Sequence, residues 1–263
     1  MHELAFVVAG FAVGLVVGLT GVGGGSLMTP ILIFFFGIKP YLAVGTDLLF
    51  AAFTKMGGTI KLARARQVDW PVVINLSAGS IPASLVTLYV LHTLGPASPV
   101  VQSLMTSTLG FALLLTAAAT LYKALRGKAI PTTVAAGQEK AAARPLHWGL
   151  PLVFGAIIGT LVTLTSVGAG AIGVTVLMFL YPLLPLPRIV AADIAYAVPL
   201  TLVAGLGHAS IGSVDWHMLV SLLAGSIPGI WVGSHLMGKT PERVIRSLLS
   251  VLLAYAGFKL IAL

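Results

Sequence analysis

Cysteine is absent from all 263 positions, which excludes disulfides, thiol chemistry and Cys-ligated metal centres. Charge is almost as scarce. Asp, Glu, Lys and Arg together make up 8% of the chain, where a soluble domain carries about 25%. Strict apolar–polar alternation is also missing, which argues against the strands of a membrane barrel. No nucleophile–base constellation appears, and the glycine-rich stretch near the N-terminus lacks the Lys-Ser/Thr ending of a nucleotide loop. His208, His217 and His235 have neither an HxxxH spacing nor a carboxylate companion, so no metal set is expected.

What remains is apolar. Hydrophobic residues fill 58% of the chain, and mean hydropathy is +1.05. One soluble core stops growing near this length and could not hide so much apolar surface. Crossing a bilayer as a helix takes roughly 20 apolar residues, and such runs recur from end to end. The opening Met1-His2-Glu3 leads straight into the first run, without the basic region and cleavage site of a removable signal peptide. That first segment is expected to stay in the fold.

An internal repeat organises these runs. Val68-Asp69-Trp70 is followed by Ala78-Gly79-Ser80-Ile81-Pro82, and Val214-Asp215-Trp216 by Ala224-Gly225-Ser226-Ile227-Pro228, at a constant offset of 146 residues. The same offset pairs Asp47 with Asp193. One residue fewer pairs Thr20-Gly21-Val22-Gly23-Gly24-Gly25 with Thr165-Ser166-Val167-Gly168-Ala169-Gly170. Four landmarks in one order make two related halves, residues 1–123 and 147–263, joined by a linker at 124–146.

Matched loops carry opposite charge patterns. Lys61, Arg64 and Arg66 precede the first Val-Asp-Trp, whereas residues 207–213 before the second hold no Lys or Arg. The following loops reverse this: residues 92–99 have none, and their counterpart has Lys239, Arg243 and Arg246. Short loops rich in Lys and Arg stay cytoplasmic, so equivalent loops face opposite sides and the repeats are inverted. Lys123, the linker with Arg126, Lys128, Lys140 and Arg144, and Arg188 belong to the same cytoplasmic face. The net charge of +8 is thus a topology signal, and no nucleic acid is needed to explain it. The predicted fold is an all-α polytopic membrane protein with both termini outside the cytoplasm. Each half has a Gly-broken pair of short helices (3–19 with 22–37, 147–164 with 167–183). These pairs make either two thin crossings or one re-entrant hairpin. Three full-length helices then follow in each half, at 40–62, 68–91 and 98–123 and at 186–208, 214–237 and 240–262.

Interrupted helices in lipid are tolerated only inside protein or beside a water-filled cavity. Unwound segments there offer N–H groups at a helix N-terminus, where dipoles favour negative charge, near the midplane where inverted repeats bind substrate. Gly10, Gly14 and Gly18 read as packing residues. The candidate substrate-binding residues are Thr20, Gly21, Gly23, Gly24, Gly25 and Ser26 at the first break, and Thr165, Ser166, Gly168 and Gly170 at the second. Asp47 and Asp193 lie about 10 Å inside apolar helices at the standard rise. They are either coupling carboxylates or structural acceptors for loose N–H groups. Lys55, whose counterpart is Thr201, could bind the substrate anion, pair with Asp47 or reach the cytoplasmic surface.

The run from Gly14 to Pro30, the segment Val44-Gly45-Thr46-Asp47-Leu48-Leu49 and the paired Val-Asp-Trp…Gly-Ser-Ile-Pro segments resemble the sulfite exporter TauE/SafE family along nearly the whole chain. The resemblance implies a permease, not an enzyme, that exports sulfite, organosulfonates or related sulfur oxyanions across the bacterial cytoplasmic membrane. The second half departs from the richer glycine pattern at Ser166 and Ala169. The expected partners are a small anion, the bilayer and a coupling ion, proton or sodium, with homo-oligomerisation open and no cofactor. Uptake of the same anions, or a scaffold role without transport, are the rival readings. Tags inserted in residues 61–69 and 207–215 should report opposite compartments; labelling from the same side would sink the inverted repeat.

Overall fold

A computed structural model describes residues 2–20, 25–125, 149–168, 170–236 and 242–261. These form ten helices: α1 (His2–Thr20), α2 (Gly25–Phe36), α3 (Pro40–Arg64), α4 (Trp70–Leu94), α5 (Pro99–Leu125), α6 (Leu150–Thr165), α7 (Ala171–Leu180), α8 (Leu186–Ser210), α9 (Trp216–Leu236) and α10 (Glu242–Ile261). No strand occurs among the described residues. Prolines stand in the first turn of α3, α4, α6 and α8, where a fixed φ and a missing N–H cost nothing. Most boundaries fall within three residues of the sequence expectation. α7 starts four residues later than expected, because the backbone at Gly168 and Gly170 is not helical.

Four helices are long and apolar enough to cross a membrane: α4, α5 over Pro99–Leu121, α8 and α9. α3 is equally long but carries Asp47, Lys55, Lys61 and Arg64. α1, α2, α6 and the 247–261 stretch of α10 are apolar and shorter. The outward faces are apolar as well, with Phe35 82%, Phe111 73% and Phe258 72% exposed. Aromatic surface on that scale suits lipid rather than water. Trp70 and Trp216 open α4 and α9 and are exposed, where interfacial tryptophans are expected.

The helices pair across the two sequence halves. α1 packs on α9, with Gly10 against Leu222, Gly14 against Ser226 and Gly18 against Ile230. Residue numbers rise together, so the pair is parallel. The counterparts behave likewise: α6 packs on α4, with Gly155 against Leu76 and Gly159 against Ser80. These are backbone-to-backbone approaches, the use that small residues serve inside membranes.

The remaining pairs join equivalents directly. On α3 and α8 the contacts run in opposite directions: Gly45 lies by His208, Leu49 by Gly205, and the Thr59 hydroxyl reaches the Ile194 carbonyl at 3.4 Å. α5 and α10 are antiparallel too, since Gly110 meets Ile261 while Gly257 meets Leu114. Polar contacts tie off both ends of the α3–α8 pair. The Asp215 N–H donates to Thr46 Oγ1 at 3.0 Å, and Arg188 pairs with Asp69 at 3.4 Å.

A Cβ on Gly14 would lie 2.4 Å from the Ser226 carbonyl oxygen, and one on Gly159 2.4 Å from that of Ser80. Neither backbone can yield without separating the helices. Gly14→Ala and Gly159→Ala should each destabilise by about 1–3 kcal/mol. Gly57, with nothing within 4 Å, should instead gain up to about 1 kcal/mol as alanine. Thermal unfolding in detergent checks both; equal effects at all three sites would refute the packing account.

Candidate functional site

The second break is fully helical up to Thr165 and then turns sharply. Ser166 adopts a left-handed conformation (φ 59°), and Gly168 and Gly170 follow at φ 132° and 141°. Side chains rarely adopt such angles, which is why glycine occupies the last two. Ser166 is the exception, and a non-glycine residue held there by its surroundings marks a place to look for function. The Thr165 hydroxyl is committed locally: it donates to the Leu161 carbonyl at 2.6 Å and accepts from the Val167 N–H at 3.1 Å. It shapes the break. Ser166 Oγ is buried and has no hydrogen-bond partner among the described residues.

That hydroxyl sits close to Asp47 of the other half, near enough to act on the carboxylate though short of hydrogen-bond geometry. Asp47 is wholly buried on α3. Its Oδ2 accepts the Thr29 hydroxyl from α2, the helix that follows the first break. Its Oδ1 has no hydrogen-bond partner among the described residues. One carboxylate therefore faces structure from both breaks. Burial of an ion costs several kcal/mol unless other groups compensate it, so this placement is expensive.

Asp193 takes the corresponding place on α8, against α7. A Cβ at Gly173 would lie 2.0 Å from Asp193 Oδ1, so the carboxylate rests on the first turn of α7. The positive end of a helix dipole favours it there. Lys55 does not reach the surface. It is 5% exposed and lies in the field of both carboxylates, Asp193 foremost and Asp47 second. Among the described residues it is the one buried Lys or Arg. Of the readings the sequence allowed, the extended route to the interface does not occur, because α3 buries this face of its helix against α8.

Behind the break stands a chain of polar groups that the sequence reading did not single out. Thr163 contacts the Ser84 hydroxyl at 2.7 Å, and His208 Nε2 meets the Thr163 carbonyl at 2.9 Å. Tyr196 lies near both Asp193 and Ser80. Gly21, Gly23 and Gly24 lie outside the described residues, as do the side chains of Thr20 and Ser26; Gly25 begins α2. The linker from 126 to 148 is likewise outside them. No group of three His, Cys, Asp or Glu suited to a metal occurs among the described residues. An open hollow of about 440 Å³ between α5 and α6, lined by Thr108, Ala156, Ile157, Thr160, Leu161 and Leu164, is apolar and includes none of the ionisable groups.

Buried charges and a broken helix between apolar walls are the marks of a transport pathway. The family model described as "Sulfite exporter TauE/SafE" matches residues 6–260. The chain belongs to this family. Its relatives include the "Probable membrane transporter protein YjnA" of Bacillus subtilis (strain 168), 32% identical over 98% of this chain and all of the relative. "Probable membrane transporter protein YunE" of the same organism is 27% identical over 99% of this chain and 98% of its own. No solved structure matches the chain significantly. The TauE/SafE chain described here is a multi-pass membrane transport protein and not an enzyme.

The Asp193–Gly173 contact makes a direct test. Gly173→Ala should cost about 1–3 kcal/mol by overpacking. In an Asp193→Ala background the same change should cost almost nothing, because the opposing oxygen is gone. Unfolding temperatures of the four proteins check this; additive losses would refute the contact.

Proposed function

We propose that this protein is a secondary transporter that exports a small sulfur oxyanion across the bacterial cytoplasmic membrane by alternating access. The observation that carries the reading is the meeting of the two breaks at Asp47: Thr29 comes from the helix after the first, Ser166 from the turn of the second. A site assembled from both halves is what alternating access requires, since it can be exposed to either side in turn. The anion is held between the breaks by backbone N–H groups and hydroxyls of Thr20, Gly21, Gly23, Gly24, Gly25 and Ser26. From the other half come Ser166, Gly168 and Gly170, with Thr165 fixing their shape. Lys55 supplies the positive charge.

The repeats 1–123 and 147–263 are inverted in this reading. The antiparallel run of α3 against α8, and of α5 against α10, supports it. So does the exchange of partners between α1–α9 and α4–α6. Arg188 and Asp69 meet at one end, the end that the Lys and Arg distribution makes cytoplasmic. Both termini then lie outside. Sulfur chemistry and outward direction rest on the family description.

Sulfite, thiosulfate, sulfoacetate and taurine form the screening panel. At least one of the anions should raise the unfolding temperature of the purified protein by a few degrees, as ligand linkage demands. The same anion should leave preloaded proteoliposomes, and Gly24→Leu should abolish the flux while the protein stays folded. Stabilisation by none of them would favour a scaffold, and flux only in the inward direction an importer.

A further inference from the structure

Among the described residues the cluster holds two carboxylates and one ammonium. Its ionisable members among the described residues are Asp47 and Lys55 on α3, and Asp193, Tyr196 and His208 on α8. The elements packed around them add only hydroxyls: Thr29 from α2, Ser80 and Ser84 from α4, Thr163 from α6 and Ser166 from the break. The undescribed part of the first break is Gly21-Val22-Gly23-Gly24, which brings no ionisable side chain. A carbonyl only accepts, so His208 Nε2 must carry a proton to meet the Thr163 oxygen at 2.9 Å. The ring is then complete and neutral without a second one. Among the described residues, two ionised carboxylates against one ammonium leave one net negative charge.

That charge weighs against a bound anion. A unit charge about 6 Å away, at an effective dielectric of about 20, changes affinity on the order of a hundredfold. One more positive charge arriving with the anion would remove the penalty. Geometry selects where. Asp193 rests on the positive end of α7 and is the first counter-charge to Lys55. Asp47 accepts the Thr29 hydroxyl on Oδ2, has a buried Oδ1 with no hydrogen-bond partner among the described residues, and stands second to Asp193 as a counter-charge to Lys55.

We propose that Asp47 takes up one proton whenever the anion binds, so that anion and proton cross together while Lys55 and Asp193 stay ionised. This rests on the anion-transport reading above. The proton passes from water on the loading side to Asp47 Oδ1 and returns to water on the far side with the anion. A divalent anion then moves one net negative charge, which an inside-negative potential still drives outward. A monovalent one moves none.

Calorimetric titration of the full-length wild-type protein, in buffers of different ionisation enthalpy, counts the protons. Thiosulfate and sulfoacetate are suitable probes because neither titrates near neutral pH. About one proton should be taken up per anion, with affinity falling by up to about tenfold per pH unit as pH rises. Asp47→Asn should bind with no proton uptake and no pH dependence. Wild-type binding without proton uptake, affinity that follows sodium instead of pH, or uptake that persists in Asp47→Asn would each overturn the proposal. If Asp47→Asn fails to fold, the wild-type count against pH and sodium still decides. Absence of any anion binding would remove the transport reading itself, and this proposal with it, a result distinct from binding without protons.

Discussion

A helix interrupted among apolar side chains leaves N–H and C=O groups that lipid cannot satisfy, and the protein must answer for each of them. Much of the architecture around the second break can be traced to that demand. At the second break Thr165 turns its hydroxyl back onto Leu161 and Val167, Gly173 N–H reaches the Gly168 carbonyl at 2.9 Å, and Val174 N–H reaches that of Gly170 at 3.0 Å. Asp193 is then brought against the first turn of α7. The turn thus ties off its own backbone, and a buried carboxylate packs against the helix that follows it.

Lys55 lies in the field of the two buried carboxylates. Its ammonium offsets part of their charge in a setting where unpaired ions are costly. The repeat does not duplicate it, since Thr201 stands opposite and bonds its own backbone at Ala197. The same divergence appears in the Val-Asp-Trp motif. Asp69 pairs with Arg188, whereas Asp215 caps α9 through the Met218 N–H at 3.0 Å. Duplicated residues have kept their places and acquired different work.

Much of the fold was legible because its causes are local or compositional. Apolar length gives helices, glycines with left-handed backbone give the break, and the paired Asp47 and Asp193 stand out as charges at depth. Gly10, Gly14 and Gly18 read correctly as packing residues, since spacing by four marks one helix face. The site was legible only in part. Thr29 is one hydroxyl in an apolar run, and nothing nearby in sequence shows that it meets Asp47, 18 residues on. Ser166 looked like a departure from a glycine pattern; its nearness to the opposite half depends on long-range packing. The burial of Lys55 needed the face that α8 covers, which a single helix does not reveal.

The glycine seams have a mechanical meaning. α1 is joined to α9, and α6 to α4, by backbone approaches with no side chain between them to rearrange. Such contacts act as welds, while joints that contain side chains can slip. These seams therefore tie the two sequence halves to each other. One seam joins α1 to α9 and the other α6 to α4, so each holds a helix of one half against a helix of the other.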